Sequence, residues 1–319
     1  MSFALMAKET VEEGVKRIVN EEIAQGIKEI DNRQLKRSEA IHEVRKHCKK
    51  IRGILRLARS QFEDTYQFEN VWFRDTAKGL AELRDAEALI ETYDSLLDKF
   101  EDQIDRRAFA SVRRALTLRL NKIIEETGDL SQKLKALRGR MNKAGRRVAA
   151  WKLKVNEFDG IEGGLLATYR RARSAMAVAY HVPTAANFHE WRKQVKYNDY
   201  HMRLLGELWK PFMQSLAQET DDLSDLLGDD HNLDVLHKAL LKSPKKYGKK
   251  RDIQVLLGLI DRRSAELRAE AKTIGARIFA EKSKAFGYRF SVYWEVWRSE
   301  VKLPSKKLSE EPAVVTAAA

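Results

Sequence analysis

The chain contains one cysteine, Cys48, so it can build neither an internal disulfide framework nor a Cys-x-x-Cys metal site. Proline is nearly as scarce: of five, the first is Pro183, so the whole stretch before it lacks the strongest helix breaker. No apolar run approaches the ~18–20 residues needed to span a bilayer. The opening Met1–Ala7 is too short and too weakly organised for a secretory signal, so a cytoplasmic location without membrane association is expected. No Walker P-loop, Gly-x-Gly-x-x-Gly or nucleophile elbow occurs, and the seven histidines lack His-x-x-x-His or His-Glu-x-x-His spacing. Neither a metal nor a cofactor is therefore expected. Acidic residues are in deficit: 47 Asp+Glu against 60 Lys+Arg leave a net charge of +13 and a pI near 9.6. That surplus points to a polyanionic partner.

The 319 residues are 43% hydrophobic and carry apolar side chains at helical spacing. Ile41, Val44, Cys48, Ile51, Leu55, Ala58 and Phe62 form one series with steps of three and four. Leu130, Leu134, Leu137, Met141, Ala144, Val148, Trp151 and Val155 form another. Both predict apolar seams of packed helices, and no comparable alternation of period two exists. An all-α protein of about ten helices follows, which suits two bundles. Breaks are predicted at Thr127–Asp129, Asn156–Gly164, Val182–Asn187 and Lys242–Lys250. The glycine-rich Asn156–Gly164 stretch serves as the midpoint, dividing an N-terminal half, 1–158, from a C-terminal half, 159–302. Residues 303–319 read as a flexible tail.

The two halves share a pattern. The segment IHEVRKHCKKIRGILRL from Ile41 aligns without gaps on FHEWRKQVKYNDYHMRLL from Phe188, at an offset of 147. His42 falls on His189, Arg45 on Arg192, Lys46 on Lys193, Lys49 on Lys196 and Arg56 on Arg203. At the same offset LRDAEAL, Leu83–Leu89, falls on DHNLDVL, Asp230–Leu236. Motif and spacing together indicate a tandem duplication.

His42, Arg45, Lys49, Arg52 and Arg56 advance by three and four, so they occupy one helix face. Each follows a seam residue, which places the cations at the edge of the core instead of opposite it. His189, Arg192, Lys196, Asp199 and Arg203 repeat the arrangement, with Asp199 standing where the first half has Arg52. Lys36–Arg56 holds eight Lys/Arg and two acids, and the mutual repulsion of such a face would be relieved by a bound polyanion. A solvated basic face is the plainer alternative for either stripe alone; their repetition weighs against it. Leu130–Lys154 adds nine Lys/Arg and no acid, with Lys133, Arg140 and Arg147 each preceding a seam residue. Tyr169, Arg170 and Arg173 form a further basic cluster, YRRAR. Pro211–His237 holds seven acids and no Lys or Arg, consistent with an exposed acidic face more than with a hard-cation site.

Taken together, HEVRKHCKKIRGILRL from His42, YRRARSAMAVAYHVPTAANFHEWRKQVKY from Tyr169 and LLGDDHNLDVL from Leu226 resemble the CHAD family, the histidine-bearing α-helical domain. The resemblance spans nearly all of residues 1–302. It implies two four-helix bundles related by a pseudo-twofold axis around a basic central channel, and binding of inorganic polyphosphate without catalysis. Carried over, the ligand face comprises His42, Arg45, Lys46, Lys49, Arg52, Arg56, Arg173, His189, Arg192, Lys193, Lys196 and Arg203. Lys133, Arg140, Arg147, Tyr169 and Arg170 form a second tier. Recruitment to polyphosphate granules would be one consequence. Nucleic-acid binding is the first competing function, because phosphate contacts and salt dependence look alike for both polymers. An enzyme of polyphosphate metabolism is the second.

Overall fold

A computed structural model describes residues 3–78 and 81–302; the proposed tail, 303–319, lies outside the described residues. These form eleven α-helices and no strand. In chain order they are α1 (Val11–Asp31), α2 (Arg37–Leu57), α3 (Glu63–Lys78), α4 (Ala81–Lys99), α5 (Ala110–Thr127) and α6 (Leu130–Val148). There follow α7 (Asp159–His181), α8 (Ala185–Leu204), α9 (Lys210–Lys242), α10 (Lys250–Ile278) and α11 (Ser283–Lys302). The fold is all-α.

Local chemistry sets the helix ends. Thr10 and Glu13 form a reciprocal capping box at the start of α1, each satisfying the other's free amide. Asp129 accepts from the Ser131 and Gln132 amides to open α6, and Thr184 accepts from the Asn187 amide to open α8. Gly128 ends α5 at φ +67°, a conformation that a side chain disfavours.

Two sequence expectations are corrected. The seam from Leu130 to Val155 does not lie on one helix: α6 ends at Val148, Trp151 folds back into the core from a connecting segment, and Val155 is exposed. The midpoint glycines do not form the break either, since Gly160, Gly163 and Gly164 lie inside α7. A Cβ on Gly164 would overlap the carbonyl oxygens of Leu57 and Arg56, so this glycine lets α7 cross directly over the end of α2.

The hydrophobic interior gathers in two clusters, each drawing on both sides of residue 158. The larger takes side chains from α1, α2, α3 and α6 together with α7, α8, α11 and the first part of α9. The smaller joins α4 and α5 to the second part of α9 and to α10. The first seam is buried throughout, from Ile41 to Phe62. Shifting α1 and α2 by 147 residues lands them on α7 and α8 to within three residues at each end.

Candidate functional site

Helices α2 and α8, which carry the two basic stripes, pack on each other; α4 lies against α2 and α9 against α8, and α4 also touches α9. Where the four meet is a recess of about 280 Å³. Its lining comprises His42, Arg45 and Lys49 from α2, Arg84, Asp85, Ala88, Leu89 and Thr92 from α4, Arg192 from α8, and His231, Asn232 and Val235 from α9. The offset of 147 relates Arg45 to Arg192, Arg84 to His231, Asp85 to Asn232 and Ala88 to Val235. The wall is thus assembled from matching positions of the two halves. Beside it, Gly53 packs on the ring of Tyr200, again its own counterpart at that offset. His201, fully buried, donates from Nε2 to the Gly53 carbonyl at 3.1 Å, and burial pushes its pKa down to about 4.

The recess is electropositive and its cations are unevenly satisfied. Arg45 lies 3.7 Å from Asp85, the only acid in the wall. Arg84 is held by Glu91, with both contacts at 2.7–2.8 Å. Lys49 and Arg192 form no ion pair among the described residues, and the Arg192 Nε is buried without a hydrogen-bond partner. Burial, followed by repulsion from Arg45, Arg192 and Lys196, pushes the Lys49 ammonium down to about 8, although the side chain keeps water contact through the open mouth of the recess. Burial likewise holds Arg192 below its ordinary value.

The histidines follow the same physics. His42 is lowered by burial and then by Arg84, and His231 is pushed down to about 4 by burial, then by His189 and Arg192. His189 stacks on His231 with ring centres 4.2 Å apart and an interplanar angle of 34°, and its Nδ1 is buried without a partner. Burial lowers its pKa as well. Each of these histidines is held toward its uncharged form by its surroundings, and an anion nearby would favour the charged form.

The other expected residues are placed differently. Arg52 donates from Nε to Asn70 Oδ1 at 3.0 Å, and Arg56 lies 3.9 Å above the Tyr197 ring with its Nε buried and unpartnered. Lys46 and Lys193 are exposed, paired with Glu43 and Glu190 at 2.9 and 2.5 Å, and do not line the recess. Lys196 and Arg203 are drawn to Asp199 and Asp221; Arg203 Nε donates to the buried Asp199 at 2.7 Å. Arg173, Arg170 and Lys133 are exposed and stand apart from the recess lining.

Three second-tier residues serve the interior. Arg140 donates to Thr76 Oγ1 and the Trp72 carbonyl, and Arg147 makes a two-pronged contact with buried Glu69 at 2.7 Å while lying over Trp72. Tyr169 is buried, stacked 4.0 Å from Phe286, with its hydroxyl donating to the Glu281 carbonyl. Arg84, Asp85, Asn232 and His231 are among the polar wall residues not selected as ligands from the sequence. The signal was present, because they are the offset-matched members of LRDAEAL and DHNLDVL.

Two further recesses adjoin the central one. A recess of about 420 Å³ shares His42 and Arg84 with it and carries four carboxylates, Glu39, Glu43, Glu87 and Glu91. Another of about 290 Å³ shares Thr92 and Asn232 and carries Lys99, Arg263 and Asp229. Three of the seven acids of the Pro211–His237 run are ion-paired: Asp221 with Lys196 and Arg203, Asp230 with Arg268 at 2.9 Å and Asp234 with Lys238 at 2.6 Å. Among the described residues no group of three or more ligating side chains could hold a metal ion.

The family model of the CHAD domain matches residues 18–241, a span that contains every residue lining the recess. The chain belongs to the CHAD family. No curated protein matches it. Among solved structures, this CHAD chain is similar in fold to PptA from Streptomyces chartreusis, at 13% identity and a TM-score of 0.59, covering 86% of this chain and 100% of that one. Among the described residues of the CHAD chain, no helix is long and apolar enough to cross a membrane.

Proposed function

We propose that this CHAD protein binds inorganic polyphosphate, or a polyanion of similar phosphate density, in the recess between α2, α4, α8 and α9, and does so without converting it. The observation that carries this reading is the meeting of Lys49 and Arg192 in one recess with no ion-pair partner for either. Lys49 is open to solvent and Arg192 is half-buried, and neither has an ion-pair partner among the described residues, so a bound anion would lower the free energy of both. Arginine forks match phosphate oxygens, and Lys49 adds a mobile point charge. Recruitment of the protein to polyphosphate granules in the cytoplasm would follow from such affinity.

The test is a calorimetric titration with short polyphosphate and with single-stranded RNA of equal charge, at about 150 mM salt, where exposed charges are largely screened. Tighter binding of polyphosphate, without release of inorganic phosphate over hours, is the expected result. Equal affinity for RNA would transfer the site to nucleic acid, and phosphate release that depends on the recess would make the protein an enzyme.

A further inference from the structure

Lys49 differs from the other lysines of the two stripe helices. Lys46, Lys50, Lys193 and Lys196 each lie within 2.5–3.6 Å of a carboxylate, respectively Glu43, Glu22, Glu190 and Asp199. Lys49 has no such partner among the described residues, and it opens into a recess shared with two arginines, Arg45 and Arg192. An amine that is accessible, free of a carboxylate and flanked by guanidinium groups suits a reagent that carries a phosphate and an electrophilic carbon together.

We propose that Lys49 is a site of acylation by small acyl phosphates, and that this acylation weakens polyanion binding at the recess. Arg45 and Arg192 hold the phosphate of the reagent through charge-assisted hydrogen bonds, which brings its acyl carbon to the Lys49 nitrogen. The nitrogen lone pair attacks that carbon. A C–N bond forms, the bond between the acyl carbon and the bridging phosphate oxygen breaks, and the phosphate leaves with that electron pair. The proton released by the nitrogen goes to the departing phosphate. The products are an amide and inorganic phosphate, with no oxidant or reductant involved. The amide carries no charge, so one of the two unpaired cations of the recess is lost.

The surroundings of Lys49 favour its reactive, uncharged form. Arg45 and His42 face the recess from the same helix as Lys49, Arg84 and Asp85 from α4, Arg192 from α8 and His231 from α9, with Lys196 of α8 acting on the amine as well; four cations stand against one acid and two histidines. The amine is about half uncharged near pH 8, where an ordinary lysine is almost wholly protonated.

The inference rests on the anion-binding reading of the recess only in that Arg45 and Arg192 must hold one phosphate group. The full chain is incubated with acetyl phosphate at about pH 8, near the Lys49 pKa, and the rate of acetylation at each lysine is followed by peptide mass spectrometry. Lys49 is expected to react at least about tenfold faster than Lys46, Lys50, Lys193 and Lys196, one factor of ten being ~1.4 kcal/mol in activation free energy. Arg45→Gln and Arg192→Gln should each slow the reaction of Lys49 with acetyl phosphate more than its reaction with neutral acetic anhydride, which loses only the effect of the arginine charge on the amine's protonation; equal slowing with both reagents overturns the phosphate-holding step. Arg45, which is less enclosed, keeps the test available should the Arg192 variant not fold. A Lys49 rate equal to that of the exposed lysines, or one indifferent to both arginine variants, overturns the proposal. Acetylated protein and Lys49→Gln should both bind polyphosphate more weakly, and unchanged binding by fully acetylated protein would also overturn it. If native protein fails to bind polyphosphate yet Lys49 reacts selectively, the polyphosphate function falls while the acylation site stands. Tight polyphosphate binding with an unreactive Lys49 has the opposite meaning.

Discussion

At the scale of single residues, the recess stores a proton demand that a ligand would release. Lys49 sits at about 8, His231 at about 4, and His42 and His189 lie below the ordinary histidine range, in every case with burial as the largest cause. A bound polyanion raises each of these values, so binding takes up protons wherever the free group is uncharged and the bound group is charged. For Lys49 the stabilising charge is fully present below about pH 8; it is lost as pH rises through the higher value of the complex. For the histidines the gain begins only as pH falls below the value each has in the complex. Affinity for polyphosphate should therefore decline in one step above about pH 8 and rise in a second step on the acid side of neutrality. Lys49→Met should remove the alkaline step and keep the acid one. Affinities measured from pH 6 to 10 in a fixed salt check this, and a Lys49→Met profile that keeps the alkaline decline would show that another group titrates there. Cys48 adds nothing to this chemistry, since burial pushes its thiol up to about 12.

At the scale of helices, the crossings depend on what each residue allows its neighbour to approach. Gly164 and Gly163 stand side by side on α7, both read from sequence as part of the break at the midpoint. A Cβ at Gly164 would overlap two backbone oxygens at the end of α2, which cannot rotate aside, while at Gly163 the nearest neighbour is Ser60 Oγ at 3.9 Å. Gly164→Ala should therefore destabilise the fold by about 1–3 kcal/mol, the range for overpacking a close contact. Gly163→Ala should be neutral or slightly stabilising, because alanine is the better helix former. Equilibrium urea unfolding of both variants decides it; equal stability of the two would mean that α7 does not cross α2 this closely. The example also shows why helix ends were only partly legible. Apolar periodicity located the buried seam of α2, and Gly128 and Pro183 marked two breaks correctly. Periodicity carried the second seam past Val148, however, because Trp151 is buried by tertiary packing after its helix has ended. Glycine composition alone does not distinguish a turn from a close crossing.

At the scale of the whole molecule, the repeated motif carries more of the recess than its two basic stripes alone. It selected His42, Arg45, Lys49 and Arg192 for the recess, and the pairing of LRDAEAL with DHNLDVL contained Arg84, Asp85, His231 and Asn232 as well. It also selected Lys46, Lys193 and Arg203, whose charges are met by nearby acids; local ion pairing depends on which carboxylates fold next to which cations, and a linear pattern does not carry that. The meeting of Arg45 with Arg192, and of Gly53 with Tyr200, is what a local twofold between duplicated halves would produce, and it bears on stoichiometry. If one recess serves both halves, a short polyphosphate should bind once per chain. Arg45→Glu and Arg192→Glu should then each weaken that single event, by about 2–5 kcal/mol as for charged partners lost at interfaces. Arg192 should be the more sensitive position, since it has no ion pair whereas Arg45 is near Asp85. Lys193→Glu, which alters an exposed residue paired with Glu190, should cost less than about 1 kcal/mol. Calorimetric stoichiometry for the native chain and the three variants separates the cases. Two equivalents per native chain, with each arginine reversal abolishing one and sparing the other, would mean that the halves bind independently and that the shared recess is not where the ligand sits.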